Sequence, residues 1–180
     1  MKPQPAILMN VIALYAIAGV LAAAFAMQFA LGELPCPLCL LQRALFCALA
    51  AGPILNLRYG PRASHYALSI LAALIGASIS VRQVLLHILP GDPGYGSAVL
   101  GYHYYTWAFI IFVAAIALAC LMLLFDRQFE GDETPFPSIA STFAVWLMIG
   151  LVAANVISTL AICGFKECPD NPVRYEMFRR

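Results

Sequence analysis

Apolar residues run almost continuously along this chain, and its few charges divide the runs. Residues 3–32 carry no Asp, Glu, Lys or Arg. Residues 34–57 carry only Arg43, and 63–91 only Arg82. Residues 93–125 and 134–165 carry none. A helix crossing a bilayer needs about 20 mostly apolar residues. With turn residues trimmed, the runs predict five membrane helices near 6–31, 37–57, 64–89, 104–125 and 139–162. Continuous rather than alternating runs exclude a closed barrel. The expected fold is an all-α integral membrane protein: one membrane domain over 1–180, with a polar tail at 163–180.

The connections are short. Gly32-Glu33-Leu34-Pro35 breaks the first hairpin, and Gly60-Pro61 marks a turn. Residues 90–96 read as a rigid, irregular loop, and 126–137 as an acidic link that keeps a loop soluble. The first run is about twice a usual signal-peptide core and only Lys2 precedes it, so cleavage near Ala24-Phe25-Ala26 is not expected. Small residues at four-residue spacing, Ala18, Ala22, Ala26 and Ala30 on the first helix and Ala72, Gly76 and Ser80 on the third, predict close helix packing.

Composition sharpens the class. Of 180 residues, 63% are hydrophobic and 11% charged, against roughly 45–50% and about 25% in a soluble domain. Disorder is excluded by the hydrophobicity. A net charge of +1 without a basic run excludes a nucleic-acid binder. Lys2, Arg58, Arg62 and Arg127 fall on one side of a five-span chain, which places the N-terminus in the cytoplasm by the positive-inside rule. Lys166, Arg174, Arg179 and Arg180 put charge of the same sign in the tail opposite. Tyr102, Tyr104, Tyr105 and Trp107 read as an aromatic belt at the outer end of the fourth helix. No acidic residue lies inside a span, which weighs against an ion-coupled carrier.

Six cysteines carry the candidate chemistry. With five spans, Cys36, Cys39, Cys163 and Cys168 share the outer, oxidising side, while Cys47 and Cys120 lie inside helices as packing residues. In Pro35-Cys36-Pro37-Leu38-Cys39, Pro37 suits a helix start, and Cys39 falls in the first turn, where free N–H groups favour a thiolate. The pair reads as a reversible redox disulfide or as a static one. Arg43 lies one turn further along the same face, roughly 9 Å below the outer end of the helix. Arg82 lies roughly 10 Å below the outer end of the third helix. Two buried cations at one depth call for an anion, such as a reduced quinone headgroup; the bland alternative is snorkelling to lipid headgroups. Gln83 accompanies Arg82, and His87 sits a turn further out, with an interfacial histidine as its bland reading. Cys163 and Cys168 read as a staple, as a second redox pair, or with Cys36 and Cys39 as a four-thiolate zinc set.

Gly32-Glu33-Leu34-Pro35-Cys36-Pro37-Leu38-Cys39-Leu40-Leu41-Gln42-Arg43 resembles the hairpin of the disulfide bond formation protein B (DsbB) family. Arg82-Gln83-Val84-Leu85-Leu86-His87-Ile88-Leu89-Pro90 resembles the same family, and the likeness covers about 6–125, a four-helix core. It implies an inner-membrane thiol oxidase that reoxidises a periplasmic DsbA-like thiol oxidase of thioredoxin fold and passes two electrons to ubiquinone or menaquinone. It implies that Cys36–Cys39 is the pair beside the quinone, that Arg43 polarises it or supports a charge-transfer state with the Cys39 thiolate, and that Gln83 or His87 helps hold the headgroup. The chain departs from the family in two places. The loop at 90–103 lacks the usual second cysteine pair, and a fifth helix brings Cys163 and Cys168 to the outer side. The expectation is that Cys163–Cys168 substitutes for the missing pair, as a relay into Cys36–Cys39.

Overall fold

In a computed structural model, residues 3–129 and 138–178 are described. Lys2, Arg179, Arg180 and residues 130–137 of the acidic link lie outside them. Six α-helices follow one another: α1 (Pro3–Ala30), α2 (Pro37–Leu49), α3 (Ala51–Tyr59), α4 (Ala63–Leu86), α5 (Tyr104–Leu123) and α6 (Ile139–Cys163). A two-residue-strand hairpin, β1 (Ala98–Val99) with β2 (Tyr102–His103), precedes α5, and single 3-10 turns lie at Asp126–Phe129 and Glu176–Phe178. With α2 and α3 taken together over Pro37–Tyr59, five segments are long and apolar enough to cross a membrane. The chain is an all-α integral membrane protein: a four-helix core and a fifth spanning helix.

The second span is broken where one helix was expected. Pro53 has no N–H to give the carbonyl four residues back and clashes with it. That carbonyl belongs to Leu49, and it accepts instead from Ser69 Oγ of α4 at 2.9 Å. Gly52 allows the approach, since a Cβ there would collide with Ser69 Oγ and the His65 carbonyl. α4 ends at Leu86 rather than 89, because Pro90 disfavours helical backbone at the residue before it.

The core joins all six helices, α3 through Leu57. Phe112 of α5 is fully buried, stacks on Phe46 of α2 with centroids 4.1 Å apart, and rests against Gly76 of α4. The small stripe on α4 therefore packs as expected. The stripe on α1 does not: Ala18 is buried, but Ala22, Ala26 and Ala30 face outward. A four-residue step turns about 400° around a helix, so such a stripe winds off its face by about 40° per step. α1 instead buries Asn10, Leu14, Ile17, Leu21 and Gln28. Gly76→Leu is expected to drive a side chain into Phe112 and to cost about 1–3 kcal/mol, read as a lower melting temperature in detergent.

Candidate functional site

Cys36 caps the start of α2. Pro37 takes the next position, where a missing N–H costs nothing, and the Cys39 N–H donates to Cys36 Sγ at 3.1 Å. Cys36 and Cys39 are joined as a disulfide, with Cα atoms 5.0 Å apart. Cys36 is buried and Cys39 half-buried. Gln83 of α4 donates from Nε2 to both sulfurs, at 3.3 Å to Cys36 and 3.6 Å to Cys39. Its Oε1 accepts from Gln42 Nε2 at 2.9 Å, which fixes the direction of the amide. Helix N–H groups and an amide donor aimed at sulfur favour the thiolate over the thiol.

Arg43 is buried one turn below. It donates from Nη1 to Gln28 Oε1 at 2.6 Å and from Nη2 to the Ala24 carbonyl at 2.7 Å, and it lies over the Phe25 ring at 5.0 Å. Neither ion pair among the described residues involves it. Its charge is therefore held by neutral dipoles and a ring face, and N–H donors remain to spare. Gln28 extends the network to the fifth span and the tail, donating to Ser158 Oγ at 3.0 Å and to Tyr175 Oη at 3.3 Å.

Cys39, Gln42 and Arg43 form the polar end of a cavity of about 280 Å³ between α1, α2 and α5. Phe46, Leu21 and Ile111 are among its apolar walls, and Tyr95, Tyr104, Tyr105 and Trp107 enclose its outer end. A second, apolar cavity of about 250 Å³ adjoins it and shares Val20 and Ile111. The aromatics expected to face lipid as a belt thus line the cavity, with Tyr102 alone of the four outside it. The cause is the loop after α4, which folds back over the hairpin. Tyr95 Oη donates to the Leu34 carbonyl at 2.6 Å, and Glu33 accepts from Ser97 N at 3.1 Å and from Ser97 Oγ. Burial, then the Glu33 charge, pushes the Tyr95 hydroxyl pKa up, which keeps it a donor.

The structure separates the four residues expected to hold a cofactor. Arg43 lines the cavity. Arg82 does not; it is exposed on the bundle surface, so the two buried cations at one depth are not found. Neighbours on a helix point about 100° apart, and α4 turns Gln83 inward and Arg82 out. Gln83 meets the sulfurs rather than the cavity. His87 stacks on Tyr105 at 5.6 Å, which His103 also faces at 5.3 Å, so it stands behind the cavity wall. His87 Nδ1 pairs with Asp92 at 3.0 Å, and the Gly94 N–H, then His87, holds the Asp92 carboxyl below its usual range. Gln28, Gln42 and Tyr104 were not expected at the site, Tyr104 having been read from sequence as part of the aromatic belt. Two are amides inside spans, a signal that a ruler based on charge passes over.

Cys163 and Cys168 form a second disulfide. Cys163 ends α6 and shares a buried cluster with Ile162, Leu34 and Leu40, against which Cys168 and Tyr175 pack. Leu34 and Leu40 bracket Cys36 and Cys39 in the chain, so the tail pair docks beside the hairpin pair. The four thiols are bonded within pairs, not gathered as one ligand set.

The cavity suits a quinone headgroup. A flat ring with carbonyl oxygens asks for apolar walls and one or two donors, and Arg43 has N–H groups free. Tyr104 Oη, near the Glu33–Ser97 pair, is buried without a hydrogen bond of acceptable geometry.

The family described as "Disulfide bond formation protein DsbB" matches residues 6–97. "Disulfide bond formation protein B" of Xanthomonas axonopodis pv. citri (strain 306) is 44% identical over 82 residues, 43% of this chain and 48% of the relative. Its namesake in Chromobacterium violaceum is 42% identical over 81 residues, 43% of this chain and 49% of the relative. That of Marinobacter nauticus is 40% identical over 88 residues, 46% and 52% of the two chains. The chain thus spans about half the length of the curated relatives it matches. No solved structure matches. The matched stretch holds the capped cysteine pair, Arg43 and the Gln83 that contacts both sulfurs, and on it the chain belongs to the DsbB family.

Proposed function

We propose that this protein is an inner-membrane, quinone-coupled protein-disulfide oxidoreductase. It takes electrons from a periplasmic DsbA-like thiol oxidase and passes them through Cys36–Cys39 to ubiquinone or menaquinone. The observation that carries the reading is the disulfide at a cavity whose polar end holds a buried guanidinium outside any ion pair among the described residues. The relatives' names, which speak of disulfide bond formation, support it.

Bound in the cavity, a quinone would supply a two-electron, two-proton acceptor. The chain's own residues supply the rest. Once the pair is reduced, the α2 N-terminus and the Gln83 amide favour its thiolate form. Arg43 provides positive charge and spare donors where negative charge gathers, and Tyr104 Oη a further donor. Apolar walls exclude water and strengthen both contacts. The adjoining apolar cavity suits the chain attached to a membrane quinone. In this reading the N-terminus is cytoplasmic and the tail periplasmic, and Cys163–Cys168 relays electrons from the partner to the hairpin by thiol–disulfide exchange.

The test is to purify the protein in detergent, extract its lipid for quinone, and add dithiothreitol with a soluble quinone. Bound quinone and dithiol-dependent quinone reduction are expected. Protein that folds yet gives no turnover above a protein-free control would overturn the reading.

A further inference from the structure

Gln28 and Arg43 lie in the stretch that matches the family, but two of the groups that hold Gln28 lie outside it. We propose that Ser158 of α6 and Tyr175 of the tail are positioning residues: they hold the Gln28 amide and, through it, the Arg43 guanidinium at the polar end of the cavity. The inference rests on the reading of that cavity as the quinone site.

Arg43 is held from one turn of α1, by Gln28 Oε1 at 2.6 Å, the Ala24 carbonyl at 2.7 Å and the Phe25 ring at 5.0 Å. The Ala24 carbonyl is fixed by the helix itself. The Gln28 amide is not, since three side-chain torsions separate it from the backbone, and its placement depends on its other partners. A guanidinium carries donors only, so it needs Oε1 turned toward it, and the amide then needs acceptors for Nε2. The two hydroxyls supply them. Nε2 donates to Ser158 Oγ at 3.0 Å and to Tyr175 Oη at 3.3 Å, and Ser158 Oγ lies 3.3 Å from Oε1 as well. Gln28 and Ser158 are both buried, so water does not compete for these bonds.

Both anchors are themselves fixed. Ser158 stands on a spanning helix. The Tyr175 ring packs on the cluster of Leu34, Leu40, Ile162 and Cys163 and meets Phe178 edge-on, with centroids 6.3 Å apart. The Cys163–Cys168 disulfide ties down the chain that leads from α6 to Tyr175. The fifth span therefore serves the site without lining the cavity. A tether of this kind matters beyond its own strength, because a group aimed at developing charge loses much of its effect when displaced by about 1 Å.

The test uses the full chain in detergent and two variants chosen to keep the fold. Tyr175→Phe removes Oη and leaves the ring on its cluster, and Ser158→Ala suits a helix. The first readout needs no quinone: modification of arginines by 2,3-butanedione, followed by peptide mass spectrometry. In Tyr175→Phe with Ser158→Ala, Arg43 is expected to react about tenfold faster than in the unaltered protein, as a loosened group does. The exposed Arg58 and Arg82 serve as references and should react at unchanged rates. An unchanged Arg43 rate, or an equal rise at all three, would overturn the tether. The second readout is reduction of a short-chain ubiquinone by dithiothreitol. Loss of one hydrogen bond in Tyr175→Phe is expected to lower kcat about threefold, and the double variant about tenfold, with KM within about twofold. In an Arg43→Met background the same substitutions should change kcat by less than about 1.5-fold, because residues that act through one group are not additive. An equal loss in that background would make them packing residues and overturn the proposal. If the unaltered protein reduces no quinone while Arg43 reacts faster in the double variant, the oxidase reading fails and the tether stands. If quinone is reduced while the Arg43 rate is unchanged, the tether fails alone.

Discussion

Cys36→Ser and Cys39→Ser are each expected to bring dithiol-driven quinone reduction down to the rate without protein. A disulfide needs both sulfurs, and a hydroxyl at either position takes part in no exchange at neutral pH. Cys36→Ser is the more informative variant, because the fold tolerates it. Cys36 is the N-cap of α2 and accepts the Cys39 N–H. Serine is among the preferred residues at that position, and its Oγ satisfies the same N–H, so the cap, worth about 1 kcal/mol, is kept. Helix content by circular dichroism and the melting temperature in detergent should therefore stay at the wild-type values while turnover vanishes. Quinone reduction above a tenth of the wild-type rate in Cys36→Ser would remove the hairpin pair from the chemistry.

Arg43→Met carries the next largest expected effect. The guanidinium stands at the polar end of the cavity, outside both ion pairs of the described residues. Its removal strands no buried carboxylate, and Gln28 keeps its bonds to Ser158 and Tyr175. Removing one partner of a buried ion pair is costly because it orphans the other charge, a penalty absent here. Methionine fills much of the same volume, so stability should change little. Turnover should not escape: a donor aimed at developing negative charge is worth about 10²-fold in kcat. The loss is expected mainly in kcat, with a smaller rise in KM for the quinone, because the charge acts most strongly once electrons have moved. A KM-only effect would make Arg43 a binding residue without a part in the electron transfer. Arg82→Met should change neither constant by more than about twofold, since Arg82 faces away from the cavity.

The contrast between these two arginines shows how far sequence reasoning reached. Both stand in apolar runs at similar distance from a helix end, and depth along an axis is readable from a residue count. Which way a side chain points around that axis depends on what packs against the helix, and a count carries no record of that. The same gap misplaced the aromatics in the first turn of α5. Tyr104, Tyr105 and Trp107 have the composition of a lipid-facing belt, but the loop pinned by Tyr95 and Glu33 turns them into a wall. Gln28 and Gln42 went unremarked because an amide carries no charge. Their partners come from distant parts of the chain, with Gln28 held to Ser158 130 residues on.

The cysteine hairpin was legible because its signal is local. A proline fixing a helix start, a cysteine before it and another in the first turn fix their own geometry through backbone chemistry alone. The break at Ala50 was local as well, since Pro53 loosens its own helix four residues upstream, but where the freed Leu49 carbonyl went depended on Ser69 of another helix.

The sequence by itself thus determined the membrane class, the five spans and the capped cysteine pair. Hydrophobic length and backbone capping act over a few residues or along one helix, and need no partner to be read. Only the tertiary structure decided that Arg43 meets the cavity while Arg82 does not, that Gln83 serves the sulfurs, and that the tail disulfide packs beside the hairpin. Those outcomes follow from which helix faces meet when the bundle closes, a choice set by shape and burial among residues far apart in the chain.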